Sequence, residues 1–326
     1  MNPNAGGGVA GLQAVLDQLY QTMLPLCSQL IGVGQALAGF AALSFIGVRV
    51  GKALAAAEPV DVFPLLRPFA IGIAILLFPS VIGLINGVLQ PTVDGTEAMV
   101  TNSNQAIATL LQQKEALAAQ GSEWQMFVGP DGSGSLDKWE TLSGSADSGL
   151  FSGLSNRVKF EMAKASYNLR NSIKVWLSEI LQILYEAAAL CINTLRTFQL
   201  LLLAILGPLV LGLSVFDGLR QSLWSWLARY INVFLWLPVA NIFGAILGTV
   251  QAQLLSIDIQ QVQTTGQTFF SPTDAAYLIF LVIGIVGYFT VPSTASYIVN
   301  AGGSHPLASK TMTVVSRAVG RLGRRG

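Results

Sequence analysis

Residues 230 to 257 read YINVFLWLPVANIFGAILGTVQAQLLSI, a stretch of 28 residues without a charged side chain. This is long enough for a transmembrane helix, because about 20 apolar residues cross the hydrocarbon layer of a bilayer. Four more intervals between charged residues pass the same test, and the five apolar centres are residues 30 to 48, 69 to 89, 197 to 216, 232 to 255 and 276 to 297. The sequence therefore predicts an all-α polytopic membrane protein with about five transmembrane helices.

The overall composition points to the same class of protein. Hydrophobic residues make up 52% of the 326 positions and charged residues only 11%, whereas a soluble domain carries about 25% charged residues. So few charges cannot cover the surface of a water-soluble enzyme of this size, which excludes that class. Because the formal net charge is only +1, the total charge does not identify a nucleic-acid partner.

The Lys and Arg residues predict the orientation of the five spans. The chain has eighteen Lys and Arg residues, and eight of them fall in or beside a long outer loop, where the positive-inside rule is weak. If the N-terminus is outside, the other ten fall on the cytoplasmic side: Arg49, Lys52, Arg67, Arg220, Arg229, Lys310, Arg317, Arg321, Arg324 and Arg325. We therefore expect a periplasmic N-terminus and a cytoplasmic C-terminus. Residues 176 to 195 are also apolar but contain Glu179 and Glu186, so they form either a sixth span or the beginning of the third.

This pattern divides the chain into five consecutive regions. They are an amphipathic helix at 1 to 28, two spans with a cytoplasmic loop at 29 to 89, a periplasmic insert at 90 to 175, three spans at 176 to 300 and a basic cytoplasmic tail at 301 to 326. The first helix either lies on the outer face of the membrane or clasps a partner, or it extends the first span; Pro25 favours a break.

The cytoplasmic docking face is expected on the short loop and on the basic tail. Attraction of the tail to anionic lipid is the alternative role for its charges. The charged residues of the loop are Arg49, Lys52, Glu58, Asp61 and Arg67.

The periplasmic insert changes character along its length. Its first part is acidic, and a Gly/Ser-rich run at 129 to 155 is typical of a flexible connector. The following apolar residues recur every three or four positions, which predicts one long helix that leaves the membrane and continues into the third span. The apolar stripe expected to join subunits comprises Val158, Met162, Ala165, Leu169 and Ile173.

Five cations flank this stripe, and they have two interpretations. They could contact the phosphates of a transported DNA strand, or they could form an ordinary solvated face. The solvated face is favoured, because no aromatic residues interleave with the charges as a platform for stacking bases. The cations are Arg157, Lys159, Lys164, Arg170 and Lys174.

Small residues and prolines recur within the spans. The pairs Gly83/Gly87 and Gly244/Gly248 allow close helix packing, either between subunits or within one chain. Prolines interrupt helical hydrogen bonding, so we predict structural kinks at Pro79, Gly207, Pro208, Pro238 and Pro292. The Gly207-Pro208 pair is expected to kink or end the third span.

The residues required for common catalytic chemistry do not occur together. The sequence has no GxxxxGK[ST] phosphate loop, and its one histidine, His305, leaves neither a metal cluster nor a base for a membrane hydrolase. The run beginning at Asp131 fails the spacing of a calcium loop. Cys27 and Cys191 are expected to be small core residues, with a disulfide as the lesser alternative. The sequence therefore predicts no enzyme activity, no metal and no cofactor.

Polar residues inside the spans have a functional and a structural interpretation. Glu179, Glu186 and Arg196 could form an ion relay, but the glutamates fit the headgroup layer better and Arg196 is expected to snorkel to the interface. The amides of the spans are expected to join helices by hydrogen bonds: Asn86, Asn232 and Asn241.

Several sequence strings together resemble the TraJ proteins of conjugative transposons, a family similar to the TrbL-type polytopic inner-membrane subunit of type IV secretion systems. They include AEPVDVFPLLRP at 57 to 68, ILGP at 205 to 208, YINVFLWLP at 230 to 238 and IGIVGYFTVP at 283 to 292. The resemblance covers the first helix, the five spans and the short loop.

The resemblance implies a non-enzymatic channel and scaffold subunit in the bacterial inner membrane. Such a subunit forms a cyclic homo-oligomer that supports pilus or stalk assembly and DNA or protein transfer. The implied partners are stalk or pilin subunits, inner-membrane ATPase components, lipid and transported single-stranded DNA. The alternative is a small secondary transporter with broken helices, although no second half repeats the first.

Overall fold

The described part of the chain is almost entirely helical. The computed structural model describes residues 5 to 59, 61 to 143, 152 to 265 and 272 to 300, and this part contains no β-strand. The all-α prediction is confirmed. In chain order the helices are α1 (Ala5–Met23), α2 (Cys27–Ala56), α3 (Leu66–Leu76), α4 (Phe78–Gln120), α5 (Ser122–Phe127), α6 (Leu136–Ser143), α7 (Ser152–Leu213), α8 (Gln221–Phe234), α9 (Trp236–Thr265), α10 (Pro272–Tyr288) and α11 (Val291–Asn300).

Three helical segments are long and apolar enough to cross a membrane. They are Ala14–Ala56, Asn156–Leu213 and Asp217–Gln261. Two bent pairs raise the number to five if each pair counts as one span: α3 with α4, at 80°, and Ala275–Tyr288 with Val291–Val299, at 52°. The predicted spans at 69 to 89 and 276 to 297 are therefore each broken by a sharp bend, which hydropathy alone does not reveal.

Three of the predicted kink prolines lie in the first turn after a helix break. Pro79 is the second residue of α4, Pro238 the third of α9 and Pro292 the second of α11. Proline is tolerated there because the first backbone N–H groups of a helix have no partner within the helix. Pro25 also lies in a 3₁₀ turn, at Leu24–Leu26, but α1 and α2 still form one membrane-length segment.

The Gly207-Pro208 pair does not end the third span. Helix α7 continues through Pro208 to Leu213. Gly207 serves packing instead, because a Cβ at this position would overlap the ring of Phe78. The Gly-Pro pair, which usually breaks a helix, here provides the space in which the buried ring of Phe78 packs against α7.

The long helix predicted through the insert is confirmed. Helix α7 has 62 residues, about 93 Å at a rise of 1.5 Å per residue, whereas the hydrocarbon layer is about 30 Å thick. Residues 176 to 195 lie in its middle, so they lead into the third span without a break. Cys191 on this helix is exposed, contrary to the core position expected for it, while Cys27 is buried.

The predicted flexible connector is wrong for the residues up to 143. Gly129, Gly132 and Gly134 adopt positive φ angles in a compact turn, and α6 follows directly. Within the turn, the carboxylate of Asp131 accepts a 2.8 Å hydrogen bond from the Ser133 hydroxyl. Before the turn, α4 continues as a helix through Pro91 into the insert. Glycine allows positive φ, so this Gly/Ser-rich sequence encodes a defined turn. Residues 144 to 151 lie outside the described part.

The chain forms two compact units, each built from three sequence segments. Unit 1 comprises the described residues of Met1–Ala14, Pro91–Ile192 and Ala240–Phe289, and unit 2 those of Val15–Gln90, Asn193–Val239 and Thr290–Gly326. In unit 2 the amphipathic helix α8 turns its apolar face inward, with Trp226, Tyr230, Val233 and Phe234 buried. Several long helices contribute residues to both units.

Candidate functional site

The first candidate site is the exposed apolar stripe of α7 in unit 1. All five residues of the predicted stripe are exposed, and Met162 and Leu169 keep 70% and 62% of their surface accessible. In α7 these positions lie on one face, since an α-helix turns by about 100° per residue. The face continues beyond Ile173 to Trp176, which is also exposed. An exposed apolar face of this kind is typical of a surface that contacts another protein or lipid.

The opposite face of α7 is packed against the insert. Phe160 and Tyr167 lie about 160 to 180° from the centre of the stripe and are both buried. Their rings stack on Phe127, with centroids 6.3 and 5.0 Å away, and Trp139 of α6 meets the edge of Phe160 at 6.0 Å. The insert therefore covers one side of α7 and leaves the stripe uncovered.

The five cations beside the stripe do not form one row. At about 100° per residue, Arg157 and Lys164 lie on one flank of α7, Lys159 and Arg170 on the other, and Lys174 close to the packed face. Lys164 is also engaged, because its Nζ donates a 2.6 Å hydrogen bond to the Ser133 carbonyl. The helix therefore offers no continuous track for a DNA backbone, which favours the solvated-face interpretation.

A charged cavity that the sequence did not reveal lies in unit 1. It has a volume of about 450 Å³ and is lined by charged, aromatic and aliphatic residues. Lys114 and Asp258 form an ion pair in its wall, and Asp258 is only 5% exposed. Asp258 directly follows the charge-free stretch at 230 to 257, and the pattern of charges gave no sign that its partner would be Lys114.

The two glutamates proposed for an ion relay have separate surroundings. Glu179 lines this cavity together with Lys174, whereas Glu186 accepts a 3.4 Å hydrogen bond from Gln182 one turn earlier on α7. Within the described residues no cluster of three or more His, Cys, Asp or Glu side chains could hold a metal ion. His305 lies outside them.

The two glycine pairs differ in what surrounds them. Within unit 1, a Cβ at Gly248 would overlap the Ser103 side chain, and one at Gly244 would come within 2.8 Å of the Tyr288 hydroxyl. This pair therefore serves packing within the chain, and the proposed role between subunits is not supported. Gly83 and Gly87 are exposed, and a Cβ added at either position would meet no described atom within 4 Å.

Three polar side chains in unit 2 form a closed hydrogen-bonded triangle. The hydroxyls of Tyr20 and Tyr230 are 2.8 Å apart, Asn86 Nδ2 donates to Tyr20 at 3.0 Å, and Tyr230 donates to Asn86 Oδ1 at 2.8 Å. Asn86 therefore joins helices as predicted. Asn241 does the same in unit 1 with Thr96. Asn232 accepts a 3.2 Å hydrogen bond from Trp236, which links the end of α8 to the start of α9.

Arg196 does not snorkel, contrary to expectation. Only 8% of it is exposed, its Nε donates a 3.2 Å hydrogen bond to the Phe234 carbonyl, and its guanidinium lies 5.0 Å from the Phe234 ring centroid. Arg196 and Asp17 line a second cavity of about 460 Å³ within unit 2. A sequence pattern cannot predict this burial, because the residues that surround Arg196 belong to helices that are distant in the sequence.

The short loop at 49 to 68 is anchored by one of its charged residues. Arg67 donates a 2.9 Å hydrogen bond to the Ser214 carbonyl and lies 3.9 Å from the Asp217 carboxylate. Arg49 and Lys52 line a hollow in unit 2, and Glu58 and Asp61 are exposed. Arg67 thus positions the loop, and the other four charged residues remain candidates for docking. The basic tail lies outside the described residues.

Comparison with known sequences identifies a family for this chain. No curated protein matches the chain. The sequence profile of a family described as homologues of TraJ from Bacteroides conjugative transposon matches residues 8–323, which is nearly the whole chain. The resemblance to TraJ proteins is confirmed, and the chain belongs to this family.

Proposed function

We propose that this chain is a non-enzymatic channel and scaffold subunit of a conjugative type IV secretion system in the bacterial inner membrane. Family membership associates it with conjugation, and its apolar helices are compatible with a membrane protein. In this proposal the subunit forms a cyclic homo-oligomer that supports pilus or stalk assembly. Its partners are stalk or pilin subunits, inner-membrane ATPase components and lipid.

The exposed stripe of α7 is the observation that carries this proposal. Leu169 lies 44 residues before Leu213, about 66 Å along the helix axis, and this is about twice the thickness of the hydrocarbon layer. If the Leu213 end of α7 lies in the membrane, Leu169 and Met162 lie beyond the hydrocarbon layer. Contact with lipid therefore does not explain why these exposed side chains are apolar. Copies of the same helix packed around an axis would remove these side chains from water.

Direct contact of α7 with the transported DNA strand is not part of the proposal. Its five cations lie on different sides of the helix, and Lys164 is bonded to Ser133. The proposed contribution to transfer is to hold neighbouring subunits together and to support the parts of the apparatus above them. The N-terminus and the insert are assigned to the periplasm and the basic tail to the cytoplasm, following the distribution of Lys and Arg.

A pair of nearby substitutions tests the proposed assembly. Met162→Glu introduces a carboxylate into the stripe, which costs several kcal/mol if the face is closed between subunits. Asn168→Glu introduces the same group at an exposed position outside the stripe. We expect Met162→Glu to abolish both the oligomer and DNA transfer, while Asn168→Glu retains both. Normal assembly and transfer in Met162→Glu would refute this role of the stripe.

A secondary transporter remains the second candidate, because two helix pairs are sharply bent. Transporters place substrates at interrupted helices, and breaks occur here between α3 and α4, at 80°, and between α10 and α11, at 52°. The test is transport by the purified chain in liposomes. Alternating access by a monomer, with unaltered transport in Met162→Glu, would favour the transporter over the scaffold.

A further inference from the structure

A polar cavity in unit 2 has an accessible mouth and a buried floor. Its volume is about 460 Å³, within the range of small-ligand sites. The mouth carries the exposed residues Asp17, Gln21 and Gln90, while Arg196, Thr197 and Phe234 on the floor are buried. A positive and a negative group thus line the same cavity at different depths.

Arg196 retains binding capacity toward this cavity. Its one hydrogen bond to the described residues uses Nε and the Phe234 carbonyl, and a guanidinium has four further N–H donors. Within the part of the chain that the structure describes, no carboxylate lies within 4.0 Å of Arg196. A buried cation without a bonded anion is costly, so an anionic group in the cavity would stabilise this arrangement.

The position of Arg196 along α7 corresponds to the edge of a bilayer. It lies 17 residues before Leu213, about 26 Å along the helix, close to the thickness of the hydrocarbon layer. The polar turn with Ser214, Asp217 and Arg67 follows the Leu213 end. With this turn at one membrane surface, Arg196 lies at the level of the lipid headgroups on the other.

We propose that this cavity binds the headgroup of a phospholipid that carries a primary amine, with the phosphodiester on Arg196 and the ammonium on Asp17. Guanidinium groups bind phosphate oxygens through paired N–H donors. The carboxylate of Asp17 accepts hydrogen bonds from the ammonium. One cation and one anion match a zwitterion, whereas a purely anionic headgroup would be repelled by Asp17.

Lipid retention by the purified full-length chain tests the site. The chain is exchanged into detergent with equal amounts of phosphatidylethanolamine, phosphatidylcholine and phosphatidylglycerol, and bound lipid is measured by native mass spectrometry. We expect preferential retention of phosphatidylethanolamine, because the quaternary amine of phosphatidylcholine cannot donate a hydrogen bond. Equal retention of the three lipids, or preference for phosphatidylglycerol, would overturn the proposal.

Two variants and a matched control separate the two ends of the headgroup. Arg196→Gln should lower retention of phosphatidylethanolamine about tenfold, the effect of losing one charge-assisted interaction, whereas Arg229→Gln, at an exposed arginine outside the cavity, should not. Because Arg196→Gln could also disturb folding, Asp17→Asn at the exposed mouth provides a second test. It should abolish the preference for phosphatidylethanolamine over phosphatidylcholine, and a retained preference would refute the assignment of Asp17.

Free phosphoethanolamine distinguishes a lipid from a soluble ligand of the same chemistry. In large excess it should displace bound phosphatidylethanolamine only weakly, because it lacks the acyl chains that keep the lipid in its membrane environment. Displacement at concentrations equal to the lipid would assign the cavity to a soluble aminoalkyl phosphate and overturn the lipid site. These measurements require neither a ring nor DNA transfer, so their failure leaves the proposed scaffold role unaffected.

Discussion

The ammonium of Lys114 and the carboxylate of Asp258 form an ion pair inside unit 1, although 144 positions separate the two residues in the sequence. The two side chains keep only 21% and 6% of their surface exposed. The pair therefore fixes α4 against α9 in an environment where an isolated charge is costly.

Removing one member of this pair should destabilise the protein more than removing both. Asp258→Leu leaves the Lys114 charge partly buried and should lower the free energy of unfolding by about 3 kcal/mol. The double variant with Lys114→Met should recover at least half of this loss, because both charges of the pair are then removed together. Unfolding in detergent measures the effect, and equal stability of the single variant and the native chain would contradict it.

The Tyr20–Asn86–Tyr230 triangle predicts a smaller effect. Tyr230→Phe removes the hydroxyl that bonds to both partners and should cost about 1 to 2 kcal/mol in the free energy of unfolding. Tyr297→Phe is the control, since Tyr297 is 67% exposed. The same unfolding assay compares the two variants. Identical losses for both would show that the triangle contributes nothing.

The close packing at Gly207 should make this position intolerant of a methyl group. Gly207→Ala places a Cβ in the ring of Phe78, which is fully buried beside Trp226, and such overpacking costs about 1 to 3 kcal/mol. Gly83→Ala is the control in open space and should be neutral or slightly stabilising. A thermal unfolding midpoint of Gly207→Ala at or above that of the native chain would contradict the packing described.

Helix periodicity and proline chemistry explain which parts of this fold are predictable from sequence. The 3-and-4 spacing from Val158 onward predicts the long helix because each repeat places an apolar residue on the same face. Pro79, Pro238 and Pro292 indicate breaks because proline is compatible with the first turn of a helix. These are local rules, and they hold without knowledge of the tertiary structure.

The remaining features depend on contacts between distant segments. Arg196 is buried because it packs against Phe234, 38 positions later, and hydropathy alone favours the opposite outcome. Helix α7 continues through Pro208, where the sequence allowed it to end. The Cβ position of Gly34 lies against the Pro208 backbone, so a segment distant in the sequence packs on the helix at this point. The ion pair of Lys114 and Asp258 likewise arises only when α4 and α9 meet.

The proposed orientation predicts opposite labelling of the insert and the tail. In a Cys191→Ser background, with buried Cys27 left in place, Ser133→Cys should react with a membrane-impermeant reagent on intact spheroplasts and Ser316→Cys should not, as the Lys and Arg distribution requires. Both should react after lysis. Labelling of position 316 and protection of position 133 in intact spheroplasts would reverse the topology.

Cross-linking through the α7 stripe tests the central claim most directly. Leu169→Cys and its exposed neighbour Asn168→Cys are made in the Cys191→Ser background and oxidised in membranes that contain the complete transfer apparatus. If stripes of neighbouring subunits pack together, Leu169→Cys forms a covalent dimer in high yield and Asn168→Cys remains largely monomeric. A monomeric Leu169→Cys chain, or equal dimer yields at the two positions, would contradict the assembly of the protein through this helix.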